Sequence, residues 1–417
     1  MLSKSKFRKV GKKKPIVVII CLFIGVMVSC EKLLPSAPKD EDVLAGTIPG
    51  LTQQQEKEHL IGDEAFGKIF TAEDGLGPVF IQTSCSNCHT VNGKGHPSNV
   101  VTRFANVNGS SIDYLLNHGG PQLQQHAIVG YSPEVLPSEA NVFTNRIAPL
   151  VMGLGYIAAL SDLSILANVD SLDTNGDGIS GRINYVTPTS FFIPQNIHIP
   201  NSGKYIGRFG KKAEKITILD QVVFALKQDI GITSDFDRQD LYNYRVGINT
   251  GDNVSDPEVS ANFVNSIVFY MRTLKAPQRR NESDPDVIEG ENLFNQIGCS
   301  SCHKSTFTTA QSDIAALSTQ TFHPYSDFLL HDMGTTLDDG YPEGGANSYE
   351  WRTPPLWGIG LAKDFQGKQM FLLHDGRATT FYGAISYHGG EAANQRTAFY
   401  ALSEQERNKI VKFLESL

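Results

Sequence analysis

Two five-residue stretches carry chemistry: "CSNCH" (Cys85, Cys88, His89) and "CSSCH" (Cys299, Cys302, His303). In Cys-x-x-Cys-His the two thiols can add to the two vinyl groups of one haem, while the adjacent histidine ligates the iron from one face. Two Cys-x-x-Cys pairs could instead share a zinc ion, but such pairs ordinarily lie roughly 15–20 residues apart. Here His89 and His303 are 214 residues apart. A dithiol redox pair has no need of a histidine directly after it. Of the six cysteines, Cys21 and Cys30 belong to an N-terminal segment and the other four to the motifs, so none is left for a disulfide. The expected cofactors are two covalently attached c-type haems, with His89 and His303 as proximal iron ligands.

The elements that position these motifs follow from the rest of the chain. At 417 residues it is long enough for two or three domains with real cores. A formal charge of -8 and a pI of about 5.8 argue against a nucleic-acid partner. The N-terminus is a basic run (Lys4 to Lys14) followed by "IVVIICLFIGVMV", Ile16 to Val28, which is too short to span a bilayer comfortably. It reads as a signal peptide. The "SC" that follows resembles a lipoprotein cleavage site, so residues 1–29 are expected to be removed and Cys30 lipidated, with 30–50 a flexible tether. An exported protein of the periplasm, outer membrane or cell surface is implied, touching the membrane only through Cys30.

The chain also repeats itself. At the 214-residue offset of the two histidines, Phe80 falls on Phe294 and "DYLLNHGGPQL" (Asp113 to Leu123) on "DFLLHDMGTTL" (Asp327 to Leu337). Further on, Arg146 of "NRIAPLVMGLG" pairs with Arg352 of "WRTPPLWGIG" at an offset of 206. The expected fold is mainly α: two cytochrome c-like haem domains related by internal duplication, with an irregular insertion in the first. The domains are 51–275, carrying the insertion at about 161–250, and 282–417, joined by the polar, proline-bearing "LKAPQRRNESDPDV". Ser403 and Glu406 form a capping box for a closing helix whose apolar face is Ile410, Phe413, Leu414 and Leu417. Within the insertion, "DTNGDGISGRIN" alternates Asp173, Asn175 and Asp177, then offers Ile179 at the backbone-carbonyl position of a calcium loop. Its twelfth residue is Asn184 rather than a bidentate glutamate, and a plain Asp/Asn/Gly turn remains the alternative.

With these blocks in view, the chain resembles bacterial di-haem cytochrome c peroxidases and the related methylamine-utilisation di-haem enzymes. It is closest to a di-haem c-type oxidoreductase branch labelled thiol oxidoreductase or peroxidase. The resemblance rests on "DTNGDGISGRIN", "GRFGKKA", "LLHDMG", "WRTPPLWGIG", "LHDGRA" and "AISYHGGEA", and covers the chain from about residue 60 onward. It implies that His388, a fixed short distance after "HDG", is the distal ligand of the second haem, making that haem bis-histidine. Met333, Met370 and His374 are the fallbacks. For the first haem, His96, His118 and His126 do not fall at the family's usual ligand spacing, so an open or water-bound iron is implied.

Peroxide cleavage also needs an acid–base group. Glu134, Glu139, His118 and Gln122 are the candidates after the first motif. Arg103, Arg146, Arg208, Arg352 and Arg377 could pair with haem propionates, Arg146 and Arg352 foremost because they recur. Trp351, Trp357 and Tyr156 could couple the haems or simply fill the core. The implied activity is hydrogen peroxide reduction at the first haem, with electrons from an external donor such as a small cytochrome relayed through the second. Oxidation of a protein or organic substrate, and a non-enzymatic electron carrier, remain the alternatives.

Overall fold

The computed structural model describes residues 46–243, 252 and 254–417. The signal peptide, Cys30 and most of the tether lie outside them. Six helices position the site: α1 (Gln53–Gly67), α2 (Ile218–Ala225), α3 (Ala261–Thr273), α4 (Pro285–Gln296), α5 (Phe381–Ser386) and α6 (Glu404–Ser416).

Local sequence sets their ends. Thr52 and Gln55 close a capping box on α1, Ser260 caps α3, Asp284 precedes a proline in the first turn of α4, and Ser403 with Glu406 caps α6 as anticipated. The apolar stripe of α6 is buried throughout at Ile410, Phe413, Leu414 and Leu417. Each such side chain contributes roughly 1.5–3 kcal/mol relative to exposure.

These helices cross in two matching pairs. α1 meets α3 at Gly62, where a Cβ would stand 2.2 Å from the Ser266 carbonyl oxygen and 2.6 Å from Tyr270 Cβ. α4 meets α6 at Gly290, where a Cβ would stand 2.0 Å from the Lys409 carbonyl oxygen and 3.0 Å from Phe413 Cβ. In each pair a phenylalanine four residues beyond the glycine packs on the partner's aromatic ring: Phe66 on Tyr270 at 5.5 Å, Phe294 on Phe413 at 5.2 Å. Phe66 is therefore the geometric counterpart of Phe294. Phe80, which the sequence offset pairs with Phe294, lies instead against His126.

Among the described residues, strand is less abundant than helix but is spread through five small antiparallel sheets. The largest orders its strands β2-β1-β3 from β1 (Val101–Asn108), β2 (Ser111–Asp113) and β3 (Val142–Arg146). β4 (Leu330–Asp332) pairs with β5 (Glu350–Arg352) in a register that sets His331 opposite Trp351. Residues 44–417 form one unit, and one buried cluster joins Phe66, Met152 and Tyr270 to Phe294, Trp357 and Phe413. The Trp357 indole N–H donates to the Met152 carbonyl at 3.2 Å, tying the two halves together.

The segment expected as an irregular insertion is not peripheral. It contains α2, packed on α3, which continues into a π turn over Leu226–Ile230 and stops at Gly231 with φ +77. Arg182 pairs by backbone with Leu330 of β4, so this segment reaches the second half.

Candidate functional site

Both motifs form a single tight turn in which the histidine N–H donates to the first cysteine's carbonyl, at 3.0 Å for His89 and 3.0 Å for His303. The phenylalanines at the helix crossings lie over these histidines with nearly the same geometry. Phe66 and His89 have ring centroids 6.0 Å apart at 55°, and Phe294 and His303 have centroids 6.0 Å apart at 54°. The four motif cysteines are free thiols, available for thioether formation. Burial pushes both imidazoles down to about 4, against the carbonyls of Pro149 and Gly93 at His89 and of Tyr325 at His303. They are therefore neutral, the form that ligates metal.

At the second motif the tautomer is fixed. His303 Nδ1–H donates to the Tyr325 carbonyl at 2.8 Å, leaving Nε2 with its lone pair. His388 follows α5, which Thr380 caps, and its Nδ1–H donates to the Ala384 carbonyl at 2.9 Å, leaving a second free Nε2. His388 is close enough that its charge lowers the pKa of His303. Glycines after His388 let the chain lie against β4: a Cβ on Gly390, whose φ is +49, would stand 2.2 Å from the Asp332 carbonyl oxygen.

The next residue, Glu391, accepts from Ser180 Oγ at 2.6 Å and lies 2.7 Å from His331 Nδ1, while Asp327 lies 2.8 Å from His331 Nε2. Burial disfavours charge on His331, but hydrogen bonds to Asp327, Cys302 and Glu391 outweigh it and raise the pKa to about 12. Cys302 Sγ lies 3.7 Å from the same imidazolium. The fallback ligands are placed differently. Met370 is in the core, and His374 is stacked on Trp351 with centroids 4.1 Å apart. Burial, with Lys211 and Arg377 nearby, holds His374 down to about 2.

The first motif has different company. His96 bonds to Ser98, His126 is exposed beside Phe80, and His118 lies 3.7 Å from the half-exposed Glu139. Among the described residues, no second imidazole is tied to a carbonyl beside His89 as His388 is beside His303. Instead Asp229, carried by the π turn, accepts from Gln122 Nε2 at 2.5 Å, and its charge bears on both Cys85 and Cys88. Burial raises Asp229 to about 6, against Gln122 and Arg103. Glu134 is also buried and raised by burial to about 7. It accepts from the Gln124 N–H at 2.9 Å and from Asn243 Nδ2 at 2.6 Å, and Gln124 in turn bonds to the Gln228 carbonyl next to Asp229.

Arg146 and Arg103 share Glu343, with Asp339 also 2.8 Å from Arg146; Arg208 is pinned to Asp162 at 2.6 Å, and Arg377 to Asp375 at 2.7 Å. Lys94, Lys211 and Arg352 make no ion pair among the described residues. Each of the three side chains is half-buried. Burial lowers Lys94 to about 7 and Arg352 to about 10, and burial, with Lys94, Arg146 and Arg352 adding to it, holds Lys211 well below the ordinary lysine value. Lys211 also acts on both His89 and His374. Three cations without carboxylate partners suit the propionates of a haem. Sequence reasoning missed Asp229, Lys94 and Lys211. Only the paired lysines of "GRFGKKA" gave a signal; Asp229 gave none.

The alternating loop at Asp173 turns its oxygens inward. Asp173, Asn175 and Asp177 accept the backbone N–H groups of Gly178, Asp177 and Ile179 at 3.1, 2.8 and 2.9 Å. Asn184 is buried elsewhere, donating to the Lys212 carbonyl at 2.8 Å.

Residues 135–417 match the family described as "Di-haem oxidoreductase, putative peroxidase". The match spans more than half of the chain, and the chain belongs to that family. The first Cys-x-x-Cys-His lies outside the matched span, the second inside it. No curated protein matches. Among solved structures, a chain of Kuenenia stuttgartiensis hydrazine synthase aligns over 92% of this chain and 98% of its own, at 14% identity and a TM-score of 0.36, a likeness too distant to carry an argument.

Proposed function

We propose that the chain is a di-haem c-type oxidoreductase that reduces hydrogen peroxide at the first motif, using electrons delivered by way of a bis-histidine second motif. The observation that carries this reading is the asymmetry between the motifs: two carbonyl-anchored imidazoles at the second, and one imidazole with a buried carboxylate at the first. The residues fit two covalent haems, because each motif offers two free thiols and a neutral imidazole. When bound, those haems supply redox-active iron for H2O2 + 2 e⁻ + 2 H⁺ → 2 H2O.

The chain's own residues then have distinct tasks. Cys85, Cys88, Cys299 and Cys302 would make the thioether bonds, and His89, His303 and His388 would ligate iron. Two imidazoles donate more strongly to ferric iron than an imidazole–thioether pair, which favours the oxidised state at the second motif. Lys94, Lys211 and Arg352 would neutralise propionates. Asp229, poised near pH 6 with Gln122 donating to it, holds the proton that the departing oxygen needs, and Glu134 stands one hydrogen-bonded layer behind.

The twin glycine crossings support two c-type domains, 51–275 and 282–417, derived by duplication. An exported, lipid-anchored setting through Cys30 and a small cytochrome as electron donor suit a haem protein whose motif cysteines must meet haem outside the cytoplasm. Calcium at Asp173, Asn175, Asp177 and Ile179 is compatible with that loop's backbone hydrogen bonds, because an oxygen that accepts one N–H keeps a lone pair for a cation. Low-temperature EPR of the as-isolated and half-reduced protein, followed by peroxide, tests the reading. One high-spin and one low-spin ferric signal are expected, with the high-spin signal consumed by peroxide. Two low-spin signals indifferent to peroxide would leave an electron carrier instead.

A further inference from the structure

Beside the second motif lies a charged group that the internal repeat does not reproduce. His331, on β4, is 3% exposed, with Glu391 2.7 Å from Nδ1 and Asp327 2.8 Å from Nε2. A carboxylate can only accept, so both ring nitrogens carry protons when both bonds form, and the ring is an imidazolium. Other donors hold the two carboxylates in place. Asp327 accepts from the Leu329 N–H at 3.0 Å, and its own N–H donates to the Cys302 carbonyl at 2.8 Å. Glu391 accepts from Ser180 Oγ at 2.6 Å, from the Ser180 N–H at 3.0 Å and from the Asp332 N–H at 3.2 Å.

At the 214-residue offset His331 falls on Asn117, and Asp327 falls on Asp113. The aspartate keeps its local turn, Asp113 accepting from the Leu115 N–H at 2.9 Å, but Asp113 and Asn117 are both exposed. The buried cation is thus a feature of the second setting, and it faces the point of haem attachment. Cys302 Sγ lies 3.7 Å from Nδ1; it is a free thiol here and stands in for the thioether sulfur of the loaded protein. Burial raises the Cys302 thiol, His331 opposes that rise, and Asp327 and Glu391 act more weakly in the other direction. Of the three charges, the positive one bears most on the sulfur.

We propose that His331 is a positioning residue that sets the reduction potential of the second haem, its imidazolium at Cys302 offsetting the preference of two imidazole ligands for ferric iron. Ferric iron carries one more positive charge than ferrous iron, so a fixed cation in a buried setting disfavours it. Asp327 and Glu391 hold the ring at the sulfur, and Glu391 ties it to Ser180 of the first half. The inference rests on the bis-histidine reading of the second motif.

The test is an EPR-monitored redox titration of the holoprotein that follows the low-spin haem. His331→Gln should keep the low-spin signal and shift the equilibrium toward ferric iron by about tenfold, a midpoint lower by about 59 mV for a one-electron couple. Glu391→Gln, in which Asp327 still holds the imidazolium, should move the midpoint upward. Two near-isosteric substitutions in one hydrogen-bonded group would not shift the midpoint in opposite directions if the group only filled space. Shifts in the same direction, or unmoved midpoints, overturn the proposal. If His331→Gln fails to load haem, Glu391→Gln decides alone: a rise supports the proposal, and no change or a fall overturns it. A parent protein without a low-spin signal that His388→Ala removes would overturn the bis-histidine reading and this inference with it. That signal with unmoved midpoints would overturn this inference alone.

Discussion

The same five-residue motif occurs twice, under helix crossings of the same design, yet its two settings differ. Around His303 the protein supplies a second anchored imidazole, His388, and fixes the neighbouring His331 between Asp327 and Glu391. Around His89 it supplies a titratable carboxylate, Asp229, and lysines without ion-pair partners. The turn that carries each histidine is thus a repeated local unit, whereas the groups around it come from elements distant in sequence. On the proposed reading, two imidazoles suit electron transfer at the second motif, and a buried acid suits proton-coupled chemistry at the first.

The largest effect should come from removing the imidazole that distinguishes the two settings. His388→Ala should abolish essentially all of the low-spin ferric signal of the second site and leave the first site's signal intact. An unchanged EPR spectrum would erase the comparison, placing the sixth ligand elsewhere.

Next is the carboxylate on the other side. Asp229→Asn should lower kcat/KM for peroxide by about 10²–10⁴-fold and remove the limb of the pH–rate profile near pH 6, without altering His388's signal. The same shift bears on stability. The folded carboxyl titrates at about 6, above the ordinary carboxylate range, so its contribution to stability falls as pH rises through that window. Asp229→Asn should therefore unfold at the same or a higher temperature than the parent at pH 7. A loss of stability there would mean that Asp229 acts as a structural anion.

The smallest effect probes what the halves share. Gly62→Ala and Gly290→Ala should each cost about 1–3 kcal/mol through overpacking at the crossings, read by thermal unfolding. Similar losses would confirm equivalent packing; a loss at only one crossing would make the likeness superficial.

Some of this was legible in the residues themselves. The haem motifs, the capping box on α6 and its apolar stripe depend on contacts within a turn or two, which spacing encodes. His388 was singled out by its position after "HDG" in a family pattern, and the structure sets it close enough to lower the pKa of His303. Asp229 was not, because an aspartate in "LKQDIGI" looks like any solvated helix-end residue until α2 and its π turn fold against Ile81 and Gln82, whose N–H groups donate to its carbonyl at 2.8 and 3.0 Å. The Phe80 pairing failed for a related reason: a fixed offset assumes equal loops, whereas the helix crossing selects Phe66.

By itself, the sequence determined where the motif thiols and histidines stand, since Cys-x-x-Cys-His is a local geometry. It also determined which helices present apolar faces. Only the tertiary structure decided what confronts each histidine, because burial and charge depend on segments more than a hundred residues away, as Asp229 is from Cys85. Desolvation and Coulomb interactions act through space rather than along the chain. That is why two nearly identical motifs come to rest in electrostatically different settings.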